Sequence, residues 1–452
     1  MSMHIRSGDG PAYTQNLASF LARFTYDELP SQVIQAARRG ILDWLGCVFA
    51  ACRHPVLDKL LAVLTENGSA EKASVMARDL RLSHTDAALV NGQMGHLLDY
   101  DDTHMGGVIL HTSSPVLAAL FSAAELRPVD GRVFIAAYVA GFEAGVRIGQ
   151  AVPDHHSGGW HLTGTLGTFA AAVAVGKLLG LDAPRMTHAL GIAGTQAAGM
   201  QQNRGTMCKS FHAGKAAANG LLAALLAEKG FDSTEEIVEG RRGFARIYSK
   251  TANLERMTAG LGQEWMITTN GHKPYACGVV LHPAIDAMIE LRGKIGGQFD
   301  AIETVEIKVN PAVVTITGTV APTTGLHSKF SIYHSAAVAM MDGAAGIAQY
   351  TDARAADARV VALRDKITIG VDENLRRDQA WGCVRYADQV AETLIEHATG
   401  TAGNPMSDAA IEAKFLANMQ GVRDTEQAAA IAQAVWCFDA LRNVRDFVAL
   451  LY

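Results

Sequence analysis

From Pro30 to about Glu228 apolar residues recur at helical spacing, one segment after another. Val33, Ala36, Ile41, Leu45 and Val48 mark one face of a helix that opens at Leu29-Pro30-Ser31. Val56 to Leu64 marks the next, stopped by Asn67-Gly68. The stretches 115–126, 132–150, 165–180 and 213–229 are rich in Ala, Gly, Leu and Val with few charges. Helices apolar on most faces must be buried on most faces, and abundant small residues let them approach closely. The pattern predicts a large all-helical domain.

Near Glu264 the texture changes. Thr304 to Val309 alternates polar and apolar, the mark of a half-buried strand. Val313 to Val320 and Lys366 to Val371 read the same way, more weakly, and Cys383–Ala387 with Val390–Leu394 suggests a closing hairpin. A helix over Tyr333 to Met341 lies between them, which makes an α+β module. After Gly400-Thr401-Ala402-Gly403-Asn404-Pro405 the chain returns to helix through Leu451. The expected fold is mainly α: a helical domain built from both chain ends, 1–265 and 403–452, with a smaller α+β lid inserted over 266–402.

The 452 residues suit two or three domains, and with 49% hydrophobic and only 19% charged residues there is ample material for buried helices. A net charge of −6 without any basic block argues against a nucleic-acid partner. Six cysteines, scattered without CxxC pairs, read as reduced core thiols and hence a cytoplasmic location. Met1 to Pro11 has no apolar stretch of the signal-peptide kind. Lys177 and Lys215 interrupt the longest apolar runs before they reach the roughly 18 residues of a membrane span.

Four segments carry candidate chemistry. His96-Leu97-Leu98-Asp99-Tyr100-Asp101-Asp102-Thr103-His104 closes a helix that starts at Ser83, with Asp86 completing a capping-box-like start. Three carboxylates there face an unfavourable helix dipole and one another, an arrangement that marks a site unless it is a solvated acidic helix end. His111 follows, and a new helix begins at Ser114-Pro115. In Asn203 to Lys215, Ser210 can cap a helix running through Leu226, which puts Lys209 at its entrance, where an anionic ligand would reconcile the lysine with the dipole. The plain alternative is a solvated surface lysine. Gly158-Gly159-Trp160-His161 leads into a buried helix, where His161 is either structural or a general acid or base. His272-Lys273-Pro274-Tyr275-Ala276-Cys277-Gly278 lies at the change of texture; Cys277 beside Lys273 is read as a packed small residue rather than a catalytic one. No GxSxG, HExxH or Walker-type loop is present. A metal centre from His96, Asp99, Asp101, Asp102, His104 and His111 competes with a metal-free site pairing carboxylates with lysines and histidines.

These segments together resemble the MmgE/PrpD family, which includes 2-methylcitrate dehydratase, cis-aconitate decarboxylase and iminodisuccinate epimerase. The matching pieces are Asn91-Gly92 with His96, Asp99 to Thr103, and His111 to Ser114; then Gly164 to Gly167, Lys209 with His212 and Gly214, and Lys273-Pro274-Tyr275 with His282. Lys329-Phe330-Ser331 and Asn404-Pro405 with Lys414-Phe415 complete them, in order along nearly the whole chain. The resemblance implies the same two-part fold, usually as a homodimer, with a cofactor-free cleft for small di- or tricarboxylates; no metal is assigned to it. By match, Asp99, Thr103, His111, His161, Lys209 and Lys273 would line it; catalysis is expected of Asp99, His111, His161 and Lys209, and substrate contacts of Thr103, His104, Lys273, His334 and Met200.

Three departures bear on the substrate. Decarboxylase-like members are similar to one another in having a histidine five residues after the lysine of the Lys273 segment, where this chain has Gly278. His334 follows Tyr333 where many members have a tyrosine after Phe-Ser, and Thr112 replaces the usual proline. One carbanion-like intermediate leads to a dehydratase by loss of a β-hydroxyl, or to an epimerase by reprotonation on the other face; a decarboxylase reaches it by losing CO₂. A 2-methylcitrate-dehydratase-like hydro-lyase is the first expectation, an epimerase of an iminodisuccinate-like dicarboxylate the second. A cis-aconitate-type decarboxylase and a non-catalytic carboxylate-binding protein stand behind them.

Overall fold

The long apolar stretches fold as α1 (Tyr13–Arg23), α2 (Ser31–Ala51), α3 (Pro55–Glu66), α4 (His84–His96), α5 (Ser113–Ala124), α6 (Gly131–Ala151), α7 (Leu162–Leu178), α8 (Ala183–Gly194) and α9 (Met207–Glu228). They are seen in a computed structural model that describes residues 11–452, so the signal-peptide expectation falls almost wholly outside it. α5 is buried along its whole length, α6 and α7 nearly so, and α7 packs between α6 and α9. α4 crosses α9 where Gly92 meets Gly214: a Cβ on Gly214 would stand 2.1 Å from the Leu89 carbonyl oxygen. Only glycine fits that crossing.

Two small ribbons tie loops to this body: β1 (Ala73–Ser74) with β2 (Arg81–Leu82), and β3 (Thr103–His104) with β4 (Asn270–Gly271). After the short α10 (Phe244–Tyr248) the chain enters the α+β part with α11 (His282–Lys294) and β5 (Ile302–Val309). Then come α12 (Pro311–Thr317), α13 (Gly325–Ser328), α14 (Ile332–Asp342), α15 (Asp352–Ala355), α16 (Ala358–Arg364), β6 (Ile367–Val371), β7 (Ala380–Tyr386) and β8 (Gln389–Ile395). The sheet order is β6-β5-β7-β8, with β5 and β6 parallel and the other pairs antiparallel. Ile302, Val305, Ile307 and Val309 form the buried side of β5, and α11 packs against β7 and β8. The β7–β8 hairpin turns through Ala387 and Asp388, both with positive φ.

The expected strand over 313–320 is instead α12. Asn310 accepts a hydrogen bond from the Ala312 N–H, and Pro311 opens the helix, so a local cap overrides the β-branched run. The tail forms α17 (Asp408–Met419), α18 (Thr425–Trp436) and α19 (Val444–Leu451); α17 and α18 pack on α2, and α19 on α5. Helices from the last part of the chain thus pack on helices from its first part. All six cysteines are unpaired. Among the described residues no helix is long and apolar enough to cross a membrane.

Candidate active site

Ser83 caps α4 by accepting the Asp86 N–H, and the helix runs out at His96. Asp99 then takes a left-handed conformation, φ 52°, which turns the chain sharply. Aspartate tolerates that region better than most residues. Across the glycine crossing, α9 begins at Met207 with Thr206 in the cap position, four residues earlier than Ser210 would place it. Ser210 lies within the first turn, where its hydroxyl donates back to the Met207 carbonyl. Lys209 is therefore in the first turn itself, facing the end of α4.

The two ends meet at Asp99. Lys273 Nζ donates to Asp99 Oδ1 at 2.6 Å and to the Asp99 carbonyl at 2.9 Å. Lys209 Nζ stands 3.2 Å from the same Oδ1, and His111 Nε2 3.9 Å from it. Burial opposes ionisation of Asp99, yet Lys209 and then Lys273 outweigh it and hold the carboxyl well below the usual range. Burial lowers the pKa of Lys209 even though Asp99 pulls the other way. Asp99 Oδ2 and Lys209 Nζ are buried without a hydrogen-bond partner, so both retain capacity for a ligand.

Behind this lies a histidine layer. His96 Nδ1 is 2.8 Å from Asp101 Oδ2, and His111 Nδ1 is 3.4 Å from Asp101 Oδ1 and 3.1 Å from Thr103 Oγ1. Ser114 Oγ donates to Asp101 at 2.7 Å. An ionised Asp101 only accepts, so Nδ1 of each ring carries the proton and Nε2 of His111 keeps its lone pair toward Asp99. Burial holds the His111 imidazole below its ordinary pKa against the pull of Asp101, and pushes His96 to about 3. His161, at the N-cap of α7, pairs Nδ1 to Nδ1 with His212 at 2.9 Å, so one ring donates to the other. Both are held neutral, first by burial and then by Lys209.

Asp99, His111, His161, Lys209 and Lys273 line one cleft, walled on its apolar side by Ile109, Val279, Val280, Ile316 and Phe330. Other expected residues lie elsewhere. Thr103 sits behind His111 and positions it. His104 points away: Nδ1 meets the Val108 carbonyl, Nε2 meets Thr269 Oγ1, and the ring packs on Phe142. His334 is buried in α14 with Nε2 on the Gln349 carbonyl, and Met200 is solvent-exposed; neither lines the cleft. Cys277 is buried, and burial pushes its thiol up to about 11, the opposite of an activated thiolate.

Of the metal alternative, His96, Asp101 and His111 have donor atoms within 4.8 Å of one another. Those atoms already serve each other, and the ammonium groups at Asp99 make a poor setting for a further cation. Asp102 faces Ser113 and Asn270 instead, outside that group. Arg204 and His156, which are not among the residues expected from the sequence, also line the cleft. The one signal was Arg204's place in the glycine-flanked run before Lys209.

The MmgE/PrpD N-terminal domain matches residues 15–257, and the MmgE/PrpD C-terminal domain matches 275–440. Cis-aconitate decarboxylase of Aspergillus terreus is 28% identical over 97% of this chain and 95% of its own length. Cis-aconitate decarboxylase of Homo sapiens is 24% identical, over 97% and 94%. The 2-methylcitrate dehydratase of Cupriavidus necator is 25% identical, over 84% and 82%. With two domain models covering most of its length in order, the chain belongs to the MmgE/PrpD family.

Proposed function

We propose that this chain is a lyase acting by acid/base chemistry on a small di- or tricarboxylate, and that it removes water next to a carboxylate. One observation carries the reading: two buried ammonium groups converge on Asp99, while the free edge of a neutral imidazole faces the same point. Two cations against one carboxylate favour an anionic ligand, and preorganised ammonium groups buried at the cleft stabilise the charge that builds when a proton leaves carbon. Such convergence also counts against a non-catalytic scaffold.

His111 Nε2 takes the proton from the carbon beside the substrate carboxylate. The C–H electron pair forms the new C=C bond as the C–O bond breaks, with transient charge on the carboxylate between Lys209 and Lys273. Lys209, made more acidic by burial, gives its proton to the departing hydroxyl, which leaves as water. The helical body supplies Asp99, His111, His161 and Lys209. The segment leading into the α+β module supplies Lys273, which makes that module the lid in this reading.

Decarboxylation is a second reading, favoured by the end-to-end similarity to cis-aconitate decarboxylases. Gly278 speaks against it. A Cβ there would meet nothing closer than Thr317 Cγ2 at 3.6 Å, so the cleft has room for a side chain that this sequence leaves out.

The test is NMR in D₂O with 2-methylcitrate, citrate, cis-aconitate and iminodisuccinate, each beside a Lys209→Ala control. Vinyl protons growing from 2-methylcitrate or citrate support elimination. Labelled bicarbonate released from cis-aconitate moves the assignment to decarboxylation, and deuterium uptake without net conversion moves it to epimerisation. No exchange with any of the four sinks the assignment to this substrate group.

A further inference from the structure

We propose that Arg204, oriented by His156, forms a second carboxylate subsite at the cleft, so that the ligand is held at both ends rather than at Lys209 and Lys273 alone. This rests on the carboxylate reading above and deepens it.

Arg204 follows the turn Gln201–Asn203, and Gly205 with φ 77° then swings the chain into α9. Arg204 and Lys209 thus leave opposite ends of one tight turn and line the same cleft. The turn is fixed to the loop that carries His156. Gln201 Nε2 donates to the His156 carbonyl at 2.6 Å and to the Trp160 carbonyl at 2.9 Å, and the Gln201 N–H donates to the Gly159 carbonyl at 2.9 Å. The His161 N–H closes the seam on the Gly199 carbonyl at 3.0 Å.

On this frame the Arg204 Nη2 donates to His156 Nε2 at 3.4 Å. Accepting that bond requires a neutral ring, and burial, followed by Arg204 and Arg377, holds His156 at about 4. His156 therefore fixes the guanidinium without neutralising it. Among the described residues no carboxylate lies within ion-pair distance of Arg204, although the side chain is only partly exposed. A guanidinium has five N–H donors, and one bond to His156 leaves a planar fork free for a carboxylate. Tethering both ends of a small polyanion also fixes which carbon stands beside His111.

The experiment is calorimetric titration of the full chain with two unreactive probes: tricarballylate, which can reach both ends, and butyrate, which can fill only the inner one and is read by competition. Arg204→Met is expected to weaken tricarballylate about tenfold or more while changing butyrate by less than about twofold, the scale of one charged hydrogen-bonded pair. Lys209→Met is expected to weaken both. Arg204→Lys keeps the charge without the fork and is expected to fall between wild type and Arg204→Met, which guards against a folding defect in the methionine variant. If Arg204→Met leaves tricarballylate unchanged, or weakens both probes alike, the subsite is wrong while the carboxylate cleft stands. If the wild-type chain binds neither probe, both proposals fall.

Discussion

Asp99 concentrates the site's chemistry in one residue: it turns the chain through a left-handed conformation and offers one oxygen to two lysines. Asn is tolerated in that backbone region and keeps the shape, so Asp99→Asn isolates the charge. Without the anion, Lys209 and Lys273 face each other across a buried gap, and breaking such a cluster costs about 3–5 kcal/mol. Asp99→Asn should therefore melt well below wild type, and added tricarballylate should raise its midpoint more than it raises wild type's. Equal ligand shifts in the two proteins would show that the lysines do not share an anion-binding role. At this scale Asp99, His111, His161, Lys209 and Lys273 were legible in the sequence, through family likeness and the density of broken local rules. His104 was not, for a geometric reason. Adjacent residues of a strand point to opposite sides, so once Thr103 faces His111 its neighbour must face Thr269 and Phe142. His334 fails likewise: the Gln349 carbonyl and Tyr350 ring that capture it come from a segment fifteen residues away.

Two element contacts hold the site together, and each makes its own prediction. The first is the α4–α9 crossing, where a methyl on Gly214 would stand 2.1 Å from the Leu89 carbonyl oxygen and 2.9 Å from the Gln93 nitrogen. Both are backbone atoms and cannot swing aside. Gly214→Ala should force the helices apart, costing on the order of 1–3 kcal/mol from overpacking, and should weaken tricarballylate because Lys209 recedes from Asp99. Unchanged melting and binding would mean the crossing is looser than its geometry. The second is Lys414 on α17, whose Nζ donates to Asp43 on α2 and to the Tyr100 carbonyl, both at 2.7 Å. Lys414→Met leaves Asp43 buried and unpaired, with an expected loss of about 3–5 kcal/mol. The double variant Lys414→Met/Asp43→Asn should recover a good part of that loss, and strictly additive denaturation energies would contradict the coupling. Helices were readable here because a 3.6-residue apolar repeat over many turns is a strong signal. The 313–320 segment was not, because eight residues are too few for periodicity to outvote β-branched composition, while the deciding cap at Asn310 lies outside them. The pairing of Lys414 with Asp43, 371 positions apart, leaves no local trace.

At the scale of the whole molecule the tail rejoining the first helices follows from helical texture at both ends of the chain, since apolar faces at each end need partners. What texture does not reveal is how many titratable groups that burial traps, and this sets the pH response. Burial pushes His96 and His282 to about 3, and His155, His156, His212, His272 and His334 to about 4. In the unfolded chain imidazoles titrate near ~6.5, so below that pH the unfolded state takes up protons that the folded state refuses. Their contribution is fully present above ~6.5 and is lost as pH falls toward the folded values. Two carboxyls act in the opposite sense: burial raises Asp102 to about 8, with Asp43 adding to it, and raises Glu143 to about 7 against the pull of Arg147. The folded state keeps those protons above ~4, where the unfolded chain has released them, so this part declines as pH rises to 7 and 8. Seven histidines outnumber two carboxyls, so the urea midpoint should drop steeply from pH 7 to pH 5. From pH 7 to pH 8.5 the histidines no longer change: the carboxyls lower the midpoint, while Lys177 and Lys329, which burial brings down to about 8, raise it, so the midpoint should change little. Asp102→Asn keeps a neutral group of the same shape between Ser113 and Asn270 and removes the carboxyl that titrates higher. Relative to wild type, Asp102→Asn should therefore keep more stability as pH rises from 7 to 8.5 and lose more as it falls from 7 to 5, because the proton held by Asp102 no longer offsets the histidines. A flat wild-type profile between pH 5 and 7 would mean that the buried histidines do not resist protonation. An alkaline response identical in Asp102→Asn would mean that Asp102 is ionised in the folded protein.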